Sequence, residues 1–137
     1  MIQMDEKKNG TLNGAASSIL IVDDEPLVRW SLQSRLKKAG YLTATASTAE
    51  QAMEDLSTSQ FDLVITDMRL PLQDGFEVAS AAKHFRPKAF VIMISAFGDD
   101  ASKMHARGVG IEHFVDKPFD LNEIVALVDR LLHHTRQ

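Results

Sequence analysis

Ser18-Ile19-Leu20-Ile21-Val22-Asp23-Asp24-Glu25-Pro26 runs from a short apolar stretch into three acids and a proline. The same ending recurs down the chain: Leu63-Val64-Ile65-Thr66 leads to Asp67, Val91-Ile92-Met93-Ile94 to Ser95, and Phe114-Val115 to Lys117. Short apolar runs bounded by polar residues read as buried parallel strands when helical patterns separate them. In such a sheet the carboxyl ends of the strands share one edge, and ligands bind in the crevice there. Three carboxylates, a hydroxyl and an ammonium therefore converge on one rim, a set suited to a phosphoryl group and Mg2+.

Working outward, strand and helix alternate five times. The first strand lies near 18–23, and Pro26 opens a helix whose Val28, Leu32, Leu36 and Ala39 share a face and whose stop is Gly40. The second strand, 42–46, is the least apolar of the first four and suits a sheet edge. Ser47 with Glu50 makes a capping-box pattern for helix two, with Ala49, Ala52, Met53 and Leu56 as its buried face. Strand three covers 62–66, and Pro71 and Asp74-Gly75 break the following segment into a loop. Asp74 pairs with Glu77 as the cap of helix three. Strand four, 89–94, is apolar throughout, as a central strand buried on both faces should be. Helix four, about 99–107, has the thinnest stripe, essentially Ala101 and Met104. Strand five, 111–115, mixes Glu112 and His113 with apolar residues and suits the other edge. Asp120 with Glu123 caps helix five, whose Leu121, Ile124, Val125, Val128, Leu131 and Leu132 form the strongest stripe. Helices on both faces of a parallel sheet make a three-layer α/β domain. Trp30 falls off the stripe of helix one and reads as a surface residue.

A chain of 137 residues makes one domain with a core of its own. Residues 1–17 are polar and Gly/Asn/Ser-rich and read as a disordered lead-in, with the domain over 18–134 and a tail at 135–137. The absence of cysteine excludes disulfides and thiolate metal sites, which fits a cytoplasmic protein. No apolar stretch approaches a membrane span, and the N-terminus lacks the core of a signal peptide. A formal net charge of -4 argues against direct nucleic-acid binding by this domain. His84, His105, His113, His133 and His134 are dispersed without zinc-ligand spacing.

The rim residues point to hard-cation and phosphoryl chemistry. Mg2+ takes oxygen ligands, usually one or two carboxylates plus waters that phosphate oxygens can replace. One carboxylate can act as a nucleophile on phosphorus and form an aspartyl phosphate. Such transfer needs charge stabilisation on the equatorial oxygens, which Mg2+, Lys117 and the Ser95 hydroxyl can supply.

Ile19-Leu20-Ile21-Val22-Asp23-Asp24-Glu25, Asp67 followed by Pro71 and Asp74-Gly75, Ser95-Ala96, and Lys117-Pro118-Phe119 together resemble the receiver domain of two-component response regulators, over about residues 18–134. The resemblance implies a flavodoxin-like (βα)5 fold with strand order 2-1-3-4-5 and an Mg2+ cofactor. It implies that Asp67 is the phosphoacceptor, that Asp24 ligates Mg2+ directly, and that Asp23 holds a metal-bound water. Asp67 and the backbone carbonyl of Arg69 would complete the metal set. Ser95 takes the place of the switch hydroxyl, Lys117 that of its cationic partner, and Phe114 that of the aromatic switch. The implied donor is a phosphohistidine on a sensor histidine kinase or phosphotransfer protein.

Ser95 and Phe114 stand where the family more often has Thr and Tyr, and Arg69 and Phe97 fill the variable positions flanking the acyl phosphate. The expected output face is helix four, strand five and helix five, which is also the expected homodimer surface. The chain ends soon after helix five, so it is either a single-domain regulator or a piece of a longer one. Val28-Arg29-Trp30-Ser31-Leu32 with Ser95-Ala96-Phe97-Gly98-Asp99 is similar to receivers of enhancer-binding transcription activators. Two other readings compete: an Mg2+-dependent phosphohydrolase with an aspartyl nucleophile, and a receiver-like module that no longer takes phosphate. The first needs an acid two residues after Asp67, where Arg69 stands; the second leaves the complete acidic and basic set unexplained. The expectation is a phosphoacceptor switch, not a turnover enzyme.

Overall fold

A computed structural model describes residues 16–96 and 100–136, with side chains through residue 133; the expected lead-in up to residue 15, Phe97 and the last tail residue lie outside it. Five strands and five helices alternate: β1 (Ser18–Val22), α1 (Pro26–Lys38), β2 (Leu42–Ala46), α2 (Ala49–Thr58), β3 (Leu63–Asp67), α3 (Gly75–Phe85), β4 (Phe90–Ser95), α4 (Asp100–Gly108), β5 (His113–Asp116) and α5 (Leu121–Arg136). All pairings are parallel, in the order β2-β1-β3-β4-β5. This is the flavodoxin-like arrangement, with β2 and β5 at the edges as their mixed composition requires.

Alternation along the strands sends successive side chains to opposite faces. Ile19, Ile21, Ile65, Ile92 and Ile94 meet Leu32 and Leu36 of α1 and Ile124 and Val128 of α5. Leu20, Val22, Val64 and Met93 meet Ala52 and Leu56 of α2, Val78 of α3 and Ala106 of α4. The central strands are therefore apolar on both sides, and the layers follow.

Helix ends refine the sequence reading. Gly40 has φ 102° and Gly110 φ 99°, and each closes its helix with the same pair of bonds. Gly40 N–H reaches the Lys37 carbonyl and Tyr41 N–H the Leu36 carbonyl, while Gly110 reaches Arg107 and Ile111 reaches Ala106. Only a residue without Cβ adopts that φ at no cost. Ala39 is the C-cap of α1 and exposed, so the stripe ends at Leu36. The cap of α2 is Thr48, one residue beyond the Ser47 expected: its hydroxyl accepts the Gln51 N–H at 3.1 Å, and Gln51 Oε1 accepts the Ser47 N–H at 3.4 Å. Both Ser47…Glu50 and Thr48…Gln51 fit the capping pattern, and the register of the buried Ala49, Ala52 and Leu56 selects the second.

The largest departure is α4. Ala101 and Met104 are exposed, and Ala106 is its buried residue. Lys103, Ala106 and Arg107, spaced i, i+3 and i+4, share the face turned to the sheet. Lys103 Nζ pairs with Asp116 at 2.7 Å, and the Arg107 guanidinium sits 4.9 Å from the centre of the Phe114 ring. Two cations thus do on α4 what an apolar stripe does elsewhere. Trp30, as expected, is an exposed residue.

Candidate functional site

The carboxyl ends of β1, β3, β4 and β5 deliver Asp23, Asp67, Ser95 and Lys117 to one rim. Asp23 and Ser95 are fully buried, and Asp67 nearly so, at 7% exposure. Backbone groups hold the acids in place: Glu25 N–H donates to Asp23 Oδ1 at 2.9 Å, and Arg69 N–H donates to Asp67 Oδ1 at 3.0 Å. The Arg29 guanidinium donates to the Asp23 carbonyl at 2.8 Å, tying the β1 end to α1.

Lys117 is the charge at the centre. Its Nζ donates to Asp67 Oδ2 at 2.8 Å and Glu25 Oε1 at 3.2 Å, and stands 3.7 Å from Asp23 Oδ2. Burial lowers the Lys117 pKa, but the hydrogen bond it donates to Asp67 and the charges of Asp23 and Asp67 outweigh it and hold the ammonium above its usual value. The Lys117–Pro118 peptide is cis.

Asp23 Oδ2 is buried without a hydrogen-bond partner. Burial, against the pull of the Glu25 N–H and Lys117, pushes the Asp23 carboxyl up to about 6. Oxygens of Asp23, Asp24 and Asp67 lie within 4.8 Å of one another. An all-oxygen donor set with one buried oxygen left unsatisfied fits a hard divalent cation such as Mg2+.

Gly75 shapes the same site from behind. A Cβ at this position would lie 1.9 Å from the Asp67 carbonyl oxygen, and the Gly75 N–H donates to the Met68 carbonyl at 2.8 Å. The Asp74-Gly75 pair, legible as a loop signal, is thus the cap and first residue of α3, packed flat on the Asp67 peptide. The Asp74 carboxylate accepts the Glu77 N–H at 3.3 Å, as the spacing predicts.

Ser95 ends β4, and its hydroxyl donates to Asp116 Oδ1 at 2.6 Å, the oxygen that also takes Lys103. The hydrogen bonds from Lys103 and Ser95 hold the Asp116 carboxyl below the ordinary carboxylate range.

Residues 19–129 match the family model of the response regulator receiver domain. The chain belongs to that family. Receiver domains are domains of the response regulators of two-component systems. This one is 33% identical over 117 residues to the DNA-binding transcriptional regulator NtrC of Klebsiella pneumoniae, a match covering 85% of this chain and 25% of that protein. It is 32% identical over 117 residues to the alkaline phosphatase synthesis transcriptional regulatory protein PhoP of Bacillus subtilis, covering 85% of this chain and 49% of that protein. The solved CheY-like receiver domain protein of Methanospirillum hungatei superposes with a TM-score of 0.83 at 24% identity, covering 89% of this chain and 98% of that one. At that identity the likeness speaks for the fold. The receiver domain spans about a quarter of the length of the NtrC relative.

In this receiver domain Asp23, Asp24, Asp67 and Lys117 come together as the sequence predicts. Arg69 contributes its N–H to Asp67 and bridges to Asp74 across the loop. Phe114 is half-buried on β5, under Arg107. Sequence reasoning missed Glu25 as a partner of Lys117, Asp116 as the partner of Ser95, and Lys103 as the cation on that same Asp116 oxygen. The signal for Asp116 was its place immediately before Lys117, but its pairing with Ser95 needs the β4–β5 register. Among the described residues no helix is long and apolar enough to cross a membrane.

Proposed function

We propose that this receiver domain accepts a phosphoryl group on Asp67 from a phosphohistidine of a sensor histidine kinase or phosphotransfer protein. The observation that carries this reading is a buried Asp67 carboxylate oriented by Lys117 and the Arg69 N–H, beside an Asp23 oxygen without a hydrogen-bond partner. One Asp67 oxygen forms the new O–P bond as the donor's P–N bond breaks, and the electron pair leaves on the imidazole nitrogen. Lys117 stays beside Asp67 and offers positive charge to the transferring oxygens. Asp24 and Asp67, the Arg69 carbonyl and a water on Asp23 would hold Mg2+. The chemistry a bound Mg2+ supplies is neutralisation of charge on those same oxygens.

The new group adds charge and acceptor oxygens at the end of β3. Ser95 turns to donate to it, Phe114 follows into the space vacated, and the face of α4, β5 and α5 is repacked. A helix held by one buried alanine, two cations and the ring contact of His105 with Phe76 is suited to that role, since mobile elements come from the low-stability end. A groove of about 340 Å3 beside it, lined in part by Met68, Phe76, Met93 and His105, leaves room for movement. We read the repacked face as the homodimer surface and the control point of a transcriptional output, since NtrC and PhoP are transcription regulators. The kinase partner places this reading in the cytoplasm.

Beryllofluoride with Mg2+, which mimics the acyl phosphate, tests it. The wild-type protein should melt several degrees higher and sediment as a dimer, with neither change in Asp67→Asn. Equal shifts in wild type and Asp67→Asn would overturn the assignment of the acceptor, and a stabilised monomer would overturn the dimer surface.

A further inference from the structure

We propose that Asp116 is a positioning residue that holds the Ser95 hydroxyl away from Asp67 and thereby sets how readily the domain takes its phosphorylated arrangement. The inference rests on the reading of Asp67 as phosphoacceptor.

The sheet order supplies the direction. Asp67 ends β3, Ser95 ends β4, and Asp116 ends β5, with Ser95 in register with Asp116. The Ser95 hydroxyl therefore lies between two carboxylates on opposite neighbours. It donates to the β5 side, 2.6 Å from Asp116 Oδ1. A serine hydroxyl has one proton to give, so it cannot serve Asp116 and a phosphoryl oxygen on Asp67 at once. Phosphorylation must win the proton from an ionised acceptor, which binds a donor more tightly than a neutral group does.

Lys103 fixes the competing acceptor. Its Nζ meets the same Asp116 oxygen at 2.7 Å, and its stem is largely covered, at 15% side-chain exposure. The Asp116 side chain is 66% exposed, so the pair adds little to the stability of the fold. Its consequence is instead which acceptor receives the Ser95 proton, and through Lys103 that choice is wired to α4. A valine at this position would offer no acceptor and leave the hydroxyl free to turn.

A four-protein cycle tests the inference: wild type, Asp116→Ala, Ser95→Ala and the double variant, each titrated with beryllofluoride in excess Mg2+. Asp116→Ala should bind the mimic about tenfold more tightly than wild type, the size expected for one hydrogen bond to a charged group. In the Ser95→Ala background the same substitution should change nothing. Asp116→Asn, which keeps a neutral acceptor and the shape, should shift binding in the same direction by about threefold. Without metal, the Hα–Hβ couplings of Ser95 should report one rotamer in wild type and averaging in Asp116→Ala. An unchanged affinity, or a shift that persists without the Ser95 hydroxyl, would overturn the role of Asp116 and leave the function of Asp67 standing. Wild-type protein that binds no beryllofluoride would overturn both.

Discussion

Asp23 is fully buried and has one carboxylate oxygen without a hydrogen-bond partner, 3.7 Å from the Lys117 ammonium, so holding it ionised carries a cost at the β1 end. Its carboxyl is pushed from 3.8 to about 6, so the folded state binds this proton more tightly than the unfolded chain. Below the unfolded value both states are protonated and there is no penalty. Between there and about 6 the unfolded chain loses the proton first, and stability falls as pH rises. Above that the full penalty, roughly 3 kcal/mol, is present until a cation relieves it. Asp23→Asn should therefore be more stable than wild type at neutral pH in chelator. The advantage should shrink toward zero near pH 4, and Mg2+ should stabilise the variant far less. Urea unfolding at both pH values checks this; a wild type that is equal or superior at neutral pH would show that the buried Asp23 carboxylate carries no cost.

At the scale of elements, the start of α3 is set by what cannot fit. Gly75→Ala places a methyl 1.9 Å from the Asp67 carbonyl oxygen, backbone against backbone, so either α3 or the β3 end must move. The expected loss is about 2 kcal/mol, with slower phosphoryl uptake because the displaced peptide is that of the proposed acceptor. Gly108→Ala, where the methyl meets nothing within 4 Å, is the control and should be close to neutral in both thermal unfolding and uptake. Equal effects of the two substitutions would remove the steric argument. The same comparison shows what the sequence can and cannot convey. Asp74-Gly75 was legible as a break, but the close approach to Asp67 arises only once β3 and α3 are folded together. Strand ends at Asp67, Ser95 and Lys117 were legible because apolar runs stop there. The stripe of α4 was misread because Lys103 and Arg107 face the sheet, and a search for apolar periodicity passes over cations. Ser47 and Thr48 both satisfied the capping pattern, and only the packed register of α2 separates them.

Across the whole molecule, the parallel order β2-β1-β3-β4-β5 explains why residues 44 apart in sequence, Asp23 and Asp67, and another 50 further, Lys117, form one charged cluster. The central strands β1, β3 and β4 are apolar and buried on both faces, so the site is held by the best-packed part of the domain. The part proposed to respond is the β5 side, where α4 rests on Ala106, two cationic contacts and the ring contact of His105 with Phe76. In the proposed function, a phosphoryl group on Asp67 would arrive at a fixed acceptor and be read by a loosely held neighbour. Everything in that account depends on Asp67 taking the group. Intact-mass analysis after incubation with acetyl phosphate, with and without Mg2+ and beside Asp67→Asn, measures this most directly. A single phosphoryl adduct that needs Mg2+ and is absent from Asp67→Asn is the result predicted. No adduct in wild type, or an equal adduct in Asp67→Asn, would contradict it.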